Sequence, residues 1–571
     1  MRKLGITLLM FSALSAFAQP DNLGSLELKV TDRYKAQVKD ASKILEQPNY
    51  QDSLNQKIEV QYRISSQPLA VRMQPEILSP ARISAIEVPE LYRAFIRGGY
   101  GAYNTGLAEI YYNSKRSSQR SYGFDFRHLS TNGGVSDILY DDNAFSRNHI
   151  GAYYNRYFRK YTWSVQGGID LDKYSYYGRP QLNFLPNDDT LTLGKAPYNW
   201  YRSFSIQTSI KESKEKELGW LKQMNLGYNY LYDNYNSSEH DLNLNSDWVL
   251  PAGDRDLFLE LNSAYFTNRY DSLYQGADST NVFQQNFVQF QLKPYIRVEQ
   301  DEYALDFGIN LYFVGAEESI PMESESGAYF FPELILRYRA VPEVLSVVGG
   351  ITGLLERNNY RQLSQMSPFI LPGQNTVPSR TIKAFVALEG ILSSNTSFYV
   401  EGGYSNLRSD AFLYRNPSFY TDTVSYGLEV LYQDLSAFYA KGSISYNWEE
   451  KFLLSASAIA RDFALSEGEQ AWYRPFFEAQ LESSYTYREK IGLALNLNYI
   501  GARHAFRQEE NLNFESMLKP YVDLGLKIDY HYNTRVGAFI NFSNLLNSDY
   551  DIFLGYRAQG INAMFGFTYR L

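Results

Sequence analysis

The chain reads as an all-β protein, a transmembrane antiparallel β-barrel of about 22 strands with a short N-terminal periplasmic segment. Three observations predict this class. Hydrophobicity alternates with a period of two over segments of about nine to eleven residues, the length a tilted strand needs to cross a bilayer. The connections between those segments alternate between short and long. Aromatic residues are abundant, 50 Tyr and 35 Phe in 571 residues. No stretch offers the ~20 continuous apolar residues of a membrane helix.

The N-terminus supplies an export signal. Arg2 and Lys3 form a basic start, Leu4 to Phe17 an apolar stretch, and Ala16-Phe17-Ala18 a small-residue cleavage site. This predicts a signal peptide over 1–18, a mature chain from Gln19 and a place in the bacterial cell outer membrane. The absence of Cys excludes disulfides, thiolate chemistry and a lipid-modified N-terminal Cys. Residues 19–93 are charged, lack sustained alternation and are punctuated by Pro48, Pro68, Pro75, Pro80 and Pro89. They read either as a plug-like periplasmic segment tucked into the barrel mouth or as an unstructured lead-in. The barrel is expected over 94–571.

Within it the dyad pattern is direct. Tyr161, Trp163, Val165, Ile169 and Leu171 alternate with Thr162, Ser164, Gln166, Gly168 and Asp170. Tyr303 to Phe313, Ile491 to Tyr499 and Val522 to Tyr530 repeat it. At the end, Ile561, Ala563, Phe565, Phe567, Tyr569 and Leu571 share one side, and Asn562, Gly566, Thr568 and Arg570 the other, with Met564 the apolar exception. Such a strand would aggregate in water and suits the lipid-facing closing strand of a barrel. Short connections at Arg159-Lys160, Pro251 to Asp254, Glu299 to Asp301, Val341 to Glu343, Ser393 to Asn395, Glu449 to Lys451 and Arg488 to Lys490 belong in the periplasm. Long polar ones at Thr131–Asn148, Arg179–Asn199, Tyr270–Asn281, Arg357–Arg380, Ser409–Val424 and Arg503–Phe514 belong outside. Segment 405–447 reads as one strand pair or two.

Near the C-terminus stands Asn544-Leu545-Leu546-Asn547-Ser548-Asp549-Tyr550, followed by Gly555-Tyr556. With Phe331-Pro332-Glu333 and Glu356-Arg357-Asn358-Asn359-Tyr360-Arg361, it resembles the barrel of TonB-dependent receptors, with Asn544, Leu545 and Tyr550 as the signature. That resemblance covers about 94–571 and implies 22 strands, membrane location and transport. Such receptors carry a long N-terminal plug preceded by a coupling box. Here only about 75 residues precede the barrel, without the plug's Gly- and Arg-rich motifs. Leu26-Glu27-Leu28-Lys29-Val30 has the character of the coupling box. The likeness is therefore to plug-less, receptor-like barrels of Bacteroidota-type outer membranes.

Chemistry-bearing residues are sparse. His128, His149, His240, His504 and His531 form no metal-binding spacing, and no G-x-S-x-G elbow is present, so no cofactor, metal or enzymatic role is expected. His128 and His149 flank one external loop holding Asp137, Asp141 and Asp142; an outer-membrane hydrolase would need a tight acid/base cluster at such a rim. Asp170, Glu260, Asp306, Asp523, Lys527 and Asp529 fall at inward positions, because a charge facing lipid costs ~2–4 kcal/mol at the midplane for Arg or Lys. They are candidates to line a conduction path. The clusters Tyr153-Tyr154, Tyr174 to Tyr177 and Tyr228 to Tyr232 read as girdle and loop anchors or as sugar-stacking surfaces.

The net charge of −9 argues against nucleic acid as a partner. Outer-membrane lipid, lipopolysaccharide and the barrel-assembly machinery are expected partners, with a periplasmic or surface protein as a further one. The leading expectation is a porin-like channel or transporter for a small solute. The alternative is a non-transport membrane scaffold or a subunit of an assembly or secretion complex.

Overall fold

The structure, a computed structural model, describes residues 92–136, 138, 143–178, 195–213, 219–271, 282–318, 326–415, 427–449, 451–465, 470–509 and 512–571. The expected signal peptide, the 19–93 segment up to residue 91 with Leu26–Val30, and Asp137, Asp141 and Asp142 lie outside the described residues.

Alternation translates directly into two faces. In the last strand, Asn562–Arg570, Phe565 and Phe567 are 60% and 65% exposed while Asn562, Met564 and Gly566 are buried. The same outward row of apolar side chains recurs at Phe307, Val386 and Phe438, giving a belt for lipid. Met564, the apolar residue on the polar side, packs inward against Gly101.

Consecutive strands pair antiparallel from Ala94–Gly101 to Ile491–Ile500, and the wall continues through Tyr521–His531, Val536–Ser543 and Asn562–Arg570. The last pairs back onto the first, Phe95 opposite Arg570 and Gly99 opposite Gly566. The barrel is closed with 22 strands and has no free edge. Glycine makes the closing seam possible. A Cβ on Gly566 would stand 2.1 Å from the Gly98 carbonyl and 2.5 Å from the Phe539 ring, so only a bare backbone admits that ring. The Arg97 guanidinium lies over the Phe539 ring, 3.9 Å from its centroid, and meets Glu109 at 3.5 Å.

Every short connection predicted from the sequence joins two paired strands at one end of the barrel. Two expectations need revision. Segment 405–447 is one long pair, Thr396–Arg415 with Leu428–Trp448, so the loop expected from Ser409 begins only after Arg415. The polar Ser409-Asp410 pair that suggests a loop adjoins a β-bulge at Arg408-Ser409, held by the Ser409 N–H donating to Asp434 Oδ1 at 2.8 Å, and Asp410 is already paired with Gln433. The expected loop Arg503–Phe514 instead folds as a hairpin, Arg503–Glu509 with Leu512–Leu518, standing outside the wall because Ile491–Ile500 pairs past it with Tyr521–His531. Strands of 20 and 21 residues exceed what a bilayer requires. Their outer halves rise above the lipid and carry the loops.

Candidate functional site: the closed barrel mouth

The long connections fold onto one another. One apolar core joins Val135, Tyr176, Tyr235, Tyr360, Phe369, Leu428, Tyr473 and Tyr556. These residues follow or precede strands all round the barrel; Val135 follows the third strand and Tyr360 the thirteenth, nearly opposite in a ring of 22. Loops anchored on opposite walls can share a core only over the pore axis. Tyr176, Tyr360, Tyr556 and Ile370 are at most 1% exposed, and burying each contributes about 1.5–3 kcal/mol.

Loop 357–378 spans the opening. Its short helix, Tyr360–Met366, starts in a capping box: Asn359 Oδ1 accepts from the Gln362 N–H at 3.0 Å, and Gln362 Oε1 from the Asn359 N–H at 3.2 Å. Its Tyr360 and Leu363 enter the shared core while Arg361, Gln362 and Gln365 point to the lumen side. The connection between the seventh and eighth strands, with the start of the eighth, grips it through two buried carboxylates. Glu239 accepts from the Tyr360 N–H at 2.6 Å, and Asp233 from the Tyr360 hydroxyl at 2.8 Å. Asp233 also accepts from the N–H groups of Tyr235 and Ser237 at 2.8 Å each. Both carboxylates stand above the belt, whose first exposed apolar residue on strand Ser238–Ala252 is Leu242. Burial pushes Glu239 up to about 7 and raises Asp233 above the usual carboxylate range. On the return path Tyr176 and Tyr201 donate to the carbonyls of Ile370 and Pro368, at 3.0 and 3.1 Å.

Beneath the helix lies a cavity of ≈ 450 Å³. Carboxamides dominate its lining, with Asn229, Asn243, Asn245, Asn262, Gln289 and Gln291 from four consecutive strands facing Gln362 and Gln365 of the helix. The wall amides chain together: Asn262 donates to Gln291 at 2.8 Å and Gln291 to Asn310 at 2.8 Å. Two arginines also line it: Arg357 is neutralised by Asp241 at 3.0 Å, and the charge of Arg361 acts on the buried Glu239.

No protein-family model matches the chain, and no curated protein does. Solved structures do. The ferric-catecholate import receptor Fiu of E. coli K12 superposes with a TM-score of 0.63 at 10% identity, over 85% of this chain and 82% of that one. The ferripyoverdine receptor of the Pseudomonas aeruginosa outer membrane gives 0.63 at 11%, over 85% and 72%. The ferric yersiniabactin uptake receptor FyuA of Yersinia pestis gives 0.61 at 10%, over 84% and 80%. The fold is that of a TonB-dependent receptor barrel. At such identities the likeness concerns architecture alone, and with the apolar belt it places this receptor-type barrel in the bacterial outer membrane. The structural neighbours are receptors and transporters rather than enzymes.

The signature residues shape the second mouth segment of the receptor-type barrel, 544–561. Asn544, at φ 45°, donates to the carbonyls of Ser548 and Gln559 and accepts from the Ser548 N–H. Leu545 donates its N–H to the Leu524 carbonyl, and Tyr550 stacks on Tyr521 with centroids 3.8 Å apart. The segment joins the first through Tyr556 and Phe369, stacked at 3.9 Å.

The six charged candidates are not gathered into one site. Asp170 accepts from Ser203 and meets His149 Nδ1 at 2.5 Å. Glu260 lies 3.5 Å from Lys293, which Glu333 also approaches at 3.1 Å. Asp306 is held by Arg297 through two bonds of 2.7 Å, and Lys527 pairs with Asp529 at 3.1 Å. Asp523 borders a separate cavity of ≈ 340 Å³ with Asn544 and Tyr550. His128 and His149 do not converge: by alternation His149 shares the inward face, whereas His128 shares the outward face of Phe124. Tyr176 and Tyr177 are loop anchors in the shared core. Sequence reading missed Asp233, Glu239 and the amide wall. The amides were visible as Asn and Gln two residues apart, at Asn243 and Asn245 and at Gln289 and Gln291.

Proposed function

We propose that this receptor-type barrel takes up a small, uncharged polar solute and that its own folded loops gate the outer mouth. The observation that carries the reading is the amide-lined cavity directly under helix Tyr360–Met366. It offers a preformed space of small-molecule size beneath a segment whose removal would open it. A carboxamide both donates and accepts, so this wall suits a ligand bearing donors and acceptors side by side. Lumen charges paired as Lys293 with Glu260 and Glu333, Arg297 with Asp306, and Lys527 with Asp529 leave little net field to select ions. Solutes named for the structural neighbours are siderophores; the predominance of amides in this lining supports a solute held by hydrogen bonds more than by charge.

One observation favours the scaffold reading: the loops are joined by a fully buried aromatic core, which resembles a permanent closure. Single-channel conductance separates the two. The refolded mature protein is compared in planar bilayers with a variant whose residues 360–371 are replaced by a Gly-Ser linker, and with one lacking 19–93. A silent intact chain and a conducting loop variant support uptake. Silence of all three, with the barrel folded, rejects it in favour of a scaffold or complex subunit.

A further inference from the structure

On the outward face, at the extracellular end of the third and fourth strands (Arg120–Thr131 and Phe145–Tyr157), three side chains form a connected chain of hydrogen bonds. Ser130 Oγ lies 3.0 Å from His128 Nε2, and His128 Nδ1 lies 2.6 Å from Asn148 Oδ1. Asn148 sets the direction of these bonds for a neutral imidazole. Asn148 Nδ2 donates to the Leu171 carbonyl at 2.7 Å and to Ser146 Oγ at 3.1 Å, which turns its Oδ1 to the imidazole. An acceptor there requires the proton on Nδ1, so Nε2 carries the lone pair and accepts from the Ser130 hydroxyl. That is the nucleophile, base and orienting group of a serine hydrolase, identified by geometry and role rather than by sequence order.

We propose that Ser130, His128 and Asn148 form a hydrolytic centre for the acyl esters of membrane lipids. Place and access both point to that substrate. His128 and Ser130 share the outward face with Phe124, and Asn148 shares it with Ile150; these two apolar residues are each 41% exposed to lipid. The strand ends at Thr131, which sets the centre at the outer edge of the belt, where lipid ester groups lie. Opposite Ser130 on the second strand is Gly106. A Cβ there would stand 3.5 Å from Ser130 Oγ and 4.0 Å from His128 Nε2, so glycine leaves the approach to the hydroxyl open.

Ser130 Oγ would attack the ester carbon as its proton passes to His128 Nε2. The tetrahedral intermediate collapses with transfer of that proton to the leaving alcohol, giving an acyl-serine. Water, deprotonated by His128, then releases the fatty acid and restores Ser130. Ser146 lies directly across from Ser130. Its oxygen accepts from Asn148, and its own proton is left to donate to the developing oxyanion.

The test uses the refolded full chain, checked by heat-modifiable gel mobility, with three probes: a fluorophosphonate followed by intact mass, phosphatidylethanolamine vesicles, and lipopolysaccharide. The expected result is a single adduct on Ser130 and fatty-acid release from one of the two lipids, which also identifies the source. Ser130→Ala should abolish both. Asn148→Ala should lower kcat by about 10–1000-fold with KM little changed, and Asn148→Asp should restore much of it. A larger side chain at Gly106→Leu should block lipid release while leaving the triad intact. No adduct, and no release above that of Ser130→Ala on either lipid by a folded barrel, overturns the proposal.

Discussion

Tyr360 and Asp233, 127 residues apart in sequence, meet at 2.8 Å in the barrel mouth, the phenol donating to a carboxylate with no exposed surface. This bond ties a loop from the thirteenth strand to a turn after the seventh. It makes the mouth a separately addressable part of the molecule, because neither residue belongs to the sheet that holds the barrel closed.

Removing the phenol oxygen should therefore loosen the mouth and spare the wall. Tyr360→Phe leaves the Asp233 oxygen short of a partner in a buried place, a cost of about 1–3 kcal/mol. Amide exchange over 360–371 should accelerate accordingly while the strand amides keep their protection. Unchanged exchange in the loop would show that the latch is redundant.

Acidity should tighten the same latch. Glu239, held up at about 7, and Asp233, also raised, bind protons more readily in the closed mouth than when released to water. Linkage then gives a closed state that is most stable at low pH, weakens as pH rises from the ordinary carboxylate range to about 7, and levels off above it. Asp241 adds to the shift of Glu239 and Arg361 opposes it. Protection over 360–371, taken relative to the intrinsic exchange rate at each pH, should be greater at pH 5 than at pH 7.5, and Glu239→Gln should flatten the difference. A profile of the opposite slope would contradict the burial argument.

Asn544 serves through both its backbone and its amide, and two substitutions separate these. Asn544→Gly keeps the left-handed conformation but loses three hydrogen bonds; Asn544→Ala loses both and should be worse by about 1 kcal/mol. Limited proteolysis within 544–561 ranks them: wild type slowest, then Gly, then Ala. Equal rates for Gly and Ala would remove the conformational contribution.

The lipid belt can be probed at Phe567, 65% exposed. Phe567→Arg should lower the folding free energy into bilayers by about 2–4 kcal/mol. A urea titration in phospholipid vesicles measures it, and a change below about 1 kcal/mol would place Phe567 off the hydrocarbon.

The sequence by itself determined the barrel. A strand shows its two faces in any six or eight residues, so period-two runs such as Tyr303 to Phe313 reveal which side meets lipid without any partner being known. Connection lengths likewise carry strand number and orientation. Bulges escaped that reading, because Ser409-Asp410 has the composition of a loop, and it stays in the strand through the Ser409 bond to Asp434 and the pairing of Asp410 with Gln433. The closed mouth, the amide cavity and the His128–Ser130–Asn148 chain were decided by tertiary structure alone. Tyr360 and Asp233, Phe369 and Tyr556, or Ser130 and Asn148 become neighbours only after the chain has closed on itself. A contact between distant segments leaves no period in the sequence: its energy comes from two surfaces that meet, and either one alone reads as a polar loop or an ordinary strand end.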